Sequence, residues 1–230
     1  MSLLSICQRA LSEIGDTNVP TSIYGNIDPT AVQLLALLTR GGKTLRRFKW
    51  QALIKTGTIA VAGGTQDYAL PADWLEFDPL TFWDEDAGYD LVGPVSPALW
   101  NTLNYSGLVG AGMRKYFRVA AGKISLFPVP TAVATLRYSY RSKYWIGGLA
   151  KEDFTDDTDT VDLDEQLLIA DLKWRYRQAK GLDDWPVLAE EANRLRDLLL
   201  AADGGKASVR FGGAGAVASA GALPESGFGL

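Results

Sequence analysis

The chain has 230 residues, 47% of them hydrophobic, and a formal net charge of −4. That length fits one large or two small domains, and that charge does not mark the whole chain as a nucleic-acid binder. There is no histidine and one cysteine, which excludes Ser-His-Asp and Cys-His catalysis, histidine metal sites, an intramolecular disulfide and a Cys-rich zinc site.

The opening, MSLLSICQRAL, lacks the basic stretch and cleavage pattern of a signal peptide. No apolar run reaches the ~18 residues of a membrane span, so a soluble chain with no membrane contact is expected. A helix starts near Ser2, with Leu3, Cys7, Ala10, Leu11 and Ile14 on one face and Gly15 as its stop. Cys7 falls in that stripe, which predicts core packing and not reactivity. Asp28-Pro29 opens a second helix, with Asp as N-cap and Pro at the first helical position. Ala31, Leu34, Leu35 and Leu38 form its core stripe and Val32 widens it. Gly41-Gly42 predicts a kink or a close helix approach, after which the helix resumes to about Trp50.

From Ala52 the hydrophobic period changes from helical to alternating. Strands are expected at 53–62, 66–70, 77–83, 88–92, 113–119, 123–127 and 133–141, with turns at Asp84 to Gly88 and Ala121-Gly122 and a short helix over 97–104. The block reads as a small antiparallel sandwich or barrel. A third helix begins near Asp162, where Asp162 and Glu165 match a capping-box-like start, and ends at Gly181. A fourth runs from near Asp184 to Asp203, with Leu188, Ala192, Leu195 and Leu199 as its stripe. The fold class is therefore α+β: a four-helix core interrupted by an antiparallel β-sandwich or barrel insertion. The expected division is 1–52 and 151–203 for the helical core, 53–150 for the insertion, and 204–230 for a flexible C-terminal docking tail. That tail is rich in Gly, Ala and Ser and cannot bury enough apolar surface to order itself alone. It still carries Arg210, Phe211, Phe228 and Leu230 as anchors for a partner.

No residue set points to catalysis, and neither a cofactor nor a metal is expected. The acidic run from Glu152 to Glu165 lacks the central Gly and the spacing of a calcium loop. It reads as a solvated loop leading into a helix N-terminus, with Asp156, Asp157 and Asp159 as an assembly charge patch in the alternative. Arg40, Lys43 and Arg47 share one face of the second helix and read as a solvated face or as an assembly charge patch making inter-subunit ion pairs; phosphate contact is the competing reading. Gly107 to Gly112, GLVGAG, lacks the lysine of a phosphate-binding loop and reads as a flexible loop. The segment Tyr68-Ala69-Leu70-Pro71-Ala72-Asp73-Trp74 reads as a fold-shaping motif, or as a tail-side contact through Tyr68, Leu70, Pro71, Asp73 and Trp74.

Taken in order, SICQRALSEIG, LRRFKWQALIKTGTIAV, DYALPADWLEF, KISLFPVPTAVATLRYSYRSKYW and DEQLLIADLKWRYRQAKGLDD resemble the phage head-to-tail adaptor family, also called connector or tail tubular protein A-like proteins. The resemblance spans roughly residues 3–200. It implies a structural virion protein, not an enzyme, that forms a dodecameric ring in the neck of a short-tailed bacteriophage. The ring would sit between the portal and the tail nozzle or tube, and genome DNA would pass through its lumen without sequence-specific binding. Assembly in the bacterial host cytoplasm follows, and the docking tail would reach the portal. The alternative is a tail-associated β-domain that binds a receptor or carbohydrate.

Overall fold

The computed structural model describes residues 1–78, 80–105 and 114–204. Its described elements are α1 (Leu3–Glu13), α2 (Pro29–Leu45), a 3-10 turn (Gln51–Leu53), β1 (Ile54–Val61), β2 (Asp67–Ala69), β3 (Trp74–Phe77), β4 (Trp83–Asp84), β5 (Tyr89–Asp90), α3 (Pro97–Tyr105), β6 (Tyr116–Ala120), β7 (Lys123–Phe127), β8 (Ala134–Ser142), α4 (Glu165–Ala179) and α5 (Trp185–Asp203). The fold is α+β with antiparallel sheets. It divides into two compact units, one built from Met1–Gly57, Leu70–Pro79 and Tyr138–Gly205, the other from Thr58–Ala69 and Leu80–Arg137.

In the first unit, α4 packs against α1, α2 and α5. Leu167, Leu168, Ile169 and Leu172 of α4 are buried together with Leu3, Ile6, Cys7 and Leu11 of α1 and Leu34 and Leu38 of α2. The ends of these helices are closed locally. Ser2 Oγ accepts the Ser5 amide, and Asp28 Oδ2 accepts the Thr30 and Ala31 amides. Gly15 and Gly181 take left-handed φ values of 73° and 70° just past α1 and α4, where only glycine is free of strain.

The expected close approach at Gly41-Gly42 is present. A Cβ on Gly41 would lie 2.2 Å from Asp171 Oδ2, and one on Gly42 would lie 2.1 Å from the ring of Trp145. Trp145 is fully buried, so the second glycine is a packing requirement that outweighs the ~1 kcal/mol of helix propensity it forgoes. Beyond this point α2 stops at Leu45 and does not reach Trp50. Trp50 Nε1 donates to Leu45 O at 2.8 Å, and the buried Arg141 donates to Arg47 O and Phe48 O at 3.0 Å each. These donors satisfy the carbonyls that a longer helix would have used. In the same unit β3 pairs antiparallel with β8, Phe77 opposite Tyr140 and Trp74 opposite Ser142.

The second unit holds two antiparallel arrangements. Trp83 of β4 pairs with Arg137 of β8 and with Asp90 of β5, and a three-stranded sheet runs β2-β7-β6. A parallel bridge between Val92 and Tyr116 and ring contact of Phe82 with Phe117 at 4.3 Å join them. Helix α3 covers the sheet by setting Trp100 and Leu103 on Phe127. The strand expected over 77–83 is not formed as one piece: β3 ends at Phe77, and Leu80 takes a left-handed φ of 62° that no strand accommodates. The start of α4 also differs. Its N-cap is Asp164, whose carboxylate accepts the Leu167 amide at 2.9 Å, whereas Asp162 accepts the Gly148 and Leu149 amides.

Candidate functional site

Helix α2 carries two faces. One, through Ala31, Leu34, Leu38, Gly41, Gly42 and Leu45, is buried. The other bears Val32, Leu35, Ala36, Arg40 and Lys43, which together with Arg47, in the turn just past the helix, line an open surface depression of about 680 Å³. The structure thus brings Arg40, Lys43 and Arg47 together as the helical spacing required. Lys43 Nζ sits 2.6 Å from Asp153. Arg40 and Arg47 are exposed, and among the described residues neither side chain has a hydrogen-bond or ion-pair partner. Val32 was expected to widen the core stripe, but it is 52% exposed. It belongs to the basic face, because it lies one, two and three turns ahead of Ala36, Arg40 and Lys43. The sequence signal was available: an apolar residue in phase with two helical cations is out of phase with the core.

The acidic run behaves in the opposite way. Asp157 accepts the Ile23 and Tyr24 amides at 3.0 and 2.7 Å. The carbonyls of Asp159 and Asp157 accept the first two amides of α1, from Leu3 and Leu4. Asp159 accepts from Lys151 Nζ at 2.6 Å and from the Thr155 and Asp156 amides. Burial pushes the Asp159 carboxyl pKa up, but the bonds from Lys151 and Thr155 prevail and hold it below the usual carboxylate range. Asp156 is bonded by Thr158, which lowers its pKa. The carboxylates of Asp156 and Asp159 shape the loop itself, that of Asp157 ties it to Ile23 and Tyr24, and its backbone carbonyls hold the start of α1.

The Tyr68-to-Trp74 segment is divided between the two units. In the second, Tyr68 Oη donates to Thr65 O at 3.0 Å and accepts the Ala62 amide at 3.1 Å, closing the turn before β2. In the first, Leu70 and Pro71 are half-buried after β2 has ended, and Pro71 O accepts the Trp74 amide at 3.0 Å. Asp73 is buried and accepts from Lys55 Nζ at 2.7 Å, Tyr140 Oη at 2.9 Å and Ser142 Oγ at 3.0 Å. Burial works to raise its pKa, yet Lys55, Tyr140 and Ser142 together keep it low. The Asp73 bond raises the Tyr140 pKa in turn, adding to burial. Trp74 starts β3 with its ring 5.4 Å from Phe77. Asp73 and Trp74 thus help hold the first unit together.

The second unit also contains a cavity of about 780 Å³ lined chiefly by Leu91, Leu126, Phe127, Pro128, Val129 and Leu136. At its edge the fully buried Asp84 is bonded by Lys115 and by the Asp86 and Ala87 amides. The lining is mostly apolar; of its charged groups Asp84 and Lys115 pair with each other, and Asp86 accepts the Thr135 amide. The docking residues Arg210, Phe211, Phe228 and Leu230, and the GLVGAG loop, lie outside the described residues. Among the described residues no cluster of three or more His, Cys, Asp or Glu side chains could hold a metal ion, and no helix is long and apolar enough to cross a membrane.

Compared with known families, residues 1–213 match the profile described as SU10 adaptor protein. No curated protein matches the chain.

Proposed function

Because the chain belongs to the SU10 adaptor family, we propose that it is a structural head-to-tail adaptor of a bacteriophage, a short-tailed one, standing in the virion neck with the portal on one side and the tail nozzle or tube on the other. Twelve copies close into a ring, and the genome passes through the lumen without sequence-specific contacts. With a net charge of −4 per copy such a ring is strongly acidic, which lets DNA slide without sticking. The subunits assemble in the host cytoplasm, and the segment 204–230 docks on the portal through Arg210, Phe211, Phe228 and Leu230. A chain rich in Gly and Ala with a few aromatic anchors suits a groove or an added strand, where backbone bonds and side-chain pockets share the binding.

The observation that carries this reading is the family match, which runs through the helices, the β-rich segments and the first residues of the tail. The role needs a rigid scaffold with free surfaces, and the buried core of the first unit beside the open face of α2 supplies both. The test is binding of the full chain to the portal of the same phage, followed by sedimentation from low to moderate salt. A complex of the two proteins is expected. Deleting residues 206–230 should leave the melting temperature nearly unchanged and weaken that complex. Equal portal affinity with and without the tail would remove the docking role, and no complex at any salt would remove the adaptor reading.

A further inference from the structure

The exposed face of α2 has a complement on the same unit. Helix α5 buries only Ala192 fully, and its stripe of Leu195 and Leu199 packs partly against the core. Its outer face carries Val187, 71% exposed, and Leu198, 64% exposed. Glu190, Glu191, Asp197 and Ala201 are exposed on that side as well. Glu190 holds Arg194 at 3.2 Å, while Glu191 has no hydrogen-bond or ion-pair partner among the described residues. The face is acidic where that of α2 is basic.

The two faces also match along their length. On α2 the apolar part comes first, at Val32, Leu35 and Ala36, and the cations follow, at Arg40, Lys43 and Arg47. On α5 the acids Glu190 and Glu191 come first and the apolar Leu198 and Ala201 follow; Val187 stands ahead of the acids, and Asp197, beside Leu198, is held by Arg196. On each helix these two groups are centred about nine residues apart, or about 14 Å at the α-helical rise. Laid antiparallel, apolar meets apolar and cation meets acid in one register. The helix dipoles then oppose each other favourably as well.

We propose that the α2 face of one copy docks antiparallel on the α5 face of the next copy, forming the head-to-tail contact between subunits. This rests on the adaptor-ring reading and names the surfaces that build it. The two patches are different, so the contact is heterologous: each copy offers one half on each side, and repetition yields a ring or an open filament. The apolar segments supply burial, and the charged segments fix direction and exclude the parallel arrangement.

Thiol cross-linking of the full chain tests it. Val32→Cys and Ala201→Cys are placed in one chain and treated with a short bis-thiol reagent, beside each single variant. Cys7 stays out of the reaction, because it is fully buried and burial pushes its pKa up to about 12. The double variant is expected to give a ladder of covalent dimers, trimers and larger species, and each single variant is expected to give none. Adding Arg40→Glu with Arg47→Glu should reduce the ladder by on the order of tenfold; a further Glu190→Lys with Glu191→Lys should restore it. Cross-linked dimers from Val32→Cys alone would mean a symmetric α2–α2 contact and overturn the pairing. Oligomers by mass photometry without a ladder would overturn the pairing and leave the ring standing. Monomers alone and with portal, at every concentration, would overturn both.

Discussion

Two charged regions look alike as sequence and differ as structure. The acidic run from Glu152 to Glu165 lies mostly in a loop, and there the carboxylates of Asp156, Asp157, Asp159, Asp162 and Asp164 accept bonds from amides, hydroxyls or a lysine. Most of the basic face lies on α2, a helix whose amides and carbonyls already bond one another, and Arg40, with Arg47 in the turn just past its end, is exposed. A loop has unpaired backbone donors that draw carboxylates inward, whereas a helix interior has none to offer. Here the loop's carboxylates are drawn into the fold and Lys43 is held by Asp153, while Arg40 and Arg47 are left exposed for a partner.

Substitutions should separate the two regions. The core beneath them sets the scale: Leu168 is fully buried, and Leu168→Ala should lower stability by about 2–5 kcal/mol in denaturant unfolding. Next in size, Asp157→Ala strands the Ile23 and Tyr24 amides and should cost about 1–3 kcal/mol. Gly42→Ala places a methyl inside the Trp145 ring contact and should cost a similar ~1–3 kcal/mol, reversing the usual gain from Gly to Ala in a helix. At the small end, Arg40→Ala with Arg47→Ala should change stability by no more than about 0.5 kcal/mol while weakening association. A large melting shift in that last variant would mean the basic face belongs to the fold, and the contrast with the acidic loop would fail.

Acid should act on the same contrast. The carboxyl pKa values of Glu13, Asp16, Asp73, Asp84 and Asp159 all lie below their ordinary values in the folded chain. A lowered pKa means the folded state holds the ionised form better than the unfolded chain does. The stabilisation is complete above about pH 5 and is lost as pH falls past the ordinary value and through the folded one. Melting temperature should thus hold from neutral pH to about pH 5 and then fall, and Asp73→Asn should blunt that fall.

Much of the fold could be read from local chemistry. Asp28-Pro29 opens α2 and Gly181 closes α4 because capping depends on residues within one turn. The failures come from contacts made at a distance in sequence. Asp162 looked like the cap of α4, but it is held by Gly148 and Leu149, and Asp164 takes the cap. The end of α2 moved back to Leu45 because Arg141, far along the chain, supplies donors to Arg47 and Phe48. At the candidate site the basic stripe was legible because helical phase fixes it. Val32 was misassigned because apolar character was weighed above phase. The complement on α5 went unread because Val187 and Leu198 stand apart from the stripe that the sequence makes obvious.

The central claim is that copies of this chain form a closed ring on the portal. Negative-stain imaging of the full chain mixed with its portal tests it most directly. The account predicts a ring of repeated subunits with an open central channel, seated coaxially on the portal. Unassembled single subunits, present both alone and beside intact portals, would contradict it.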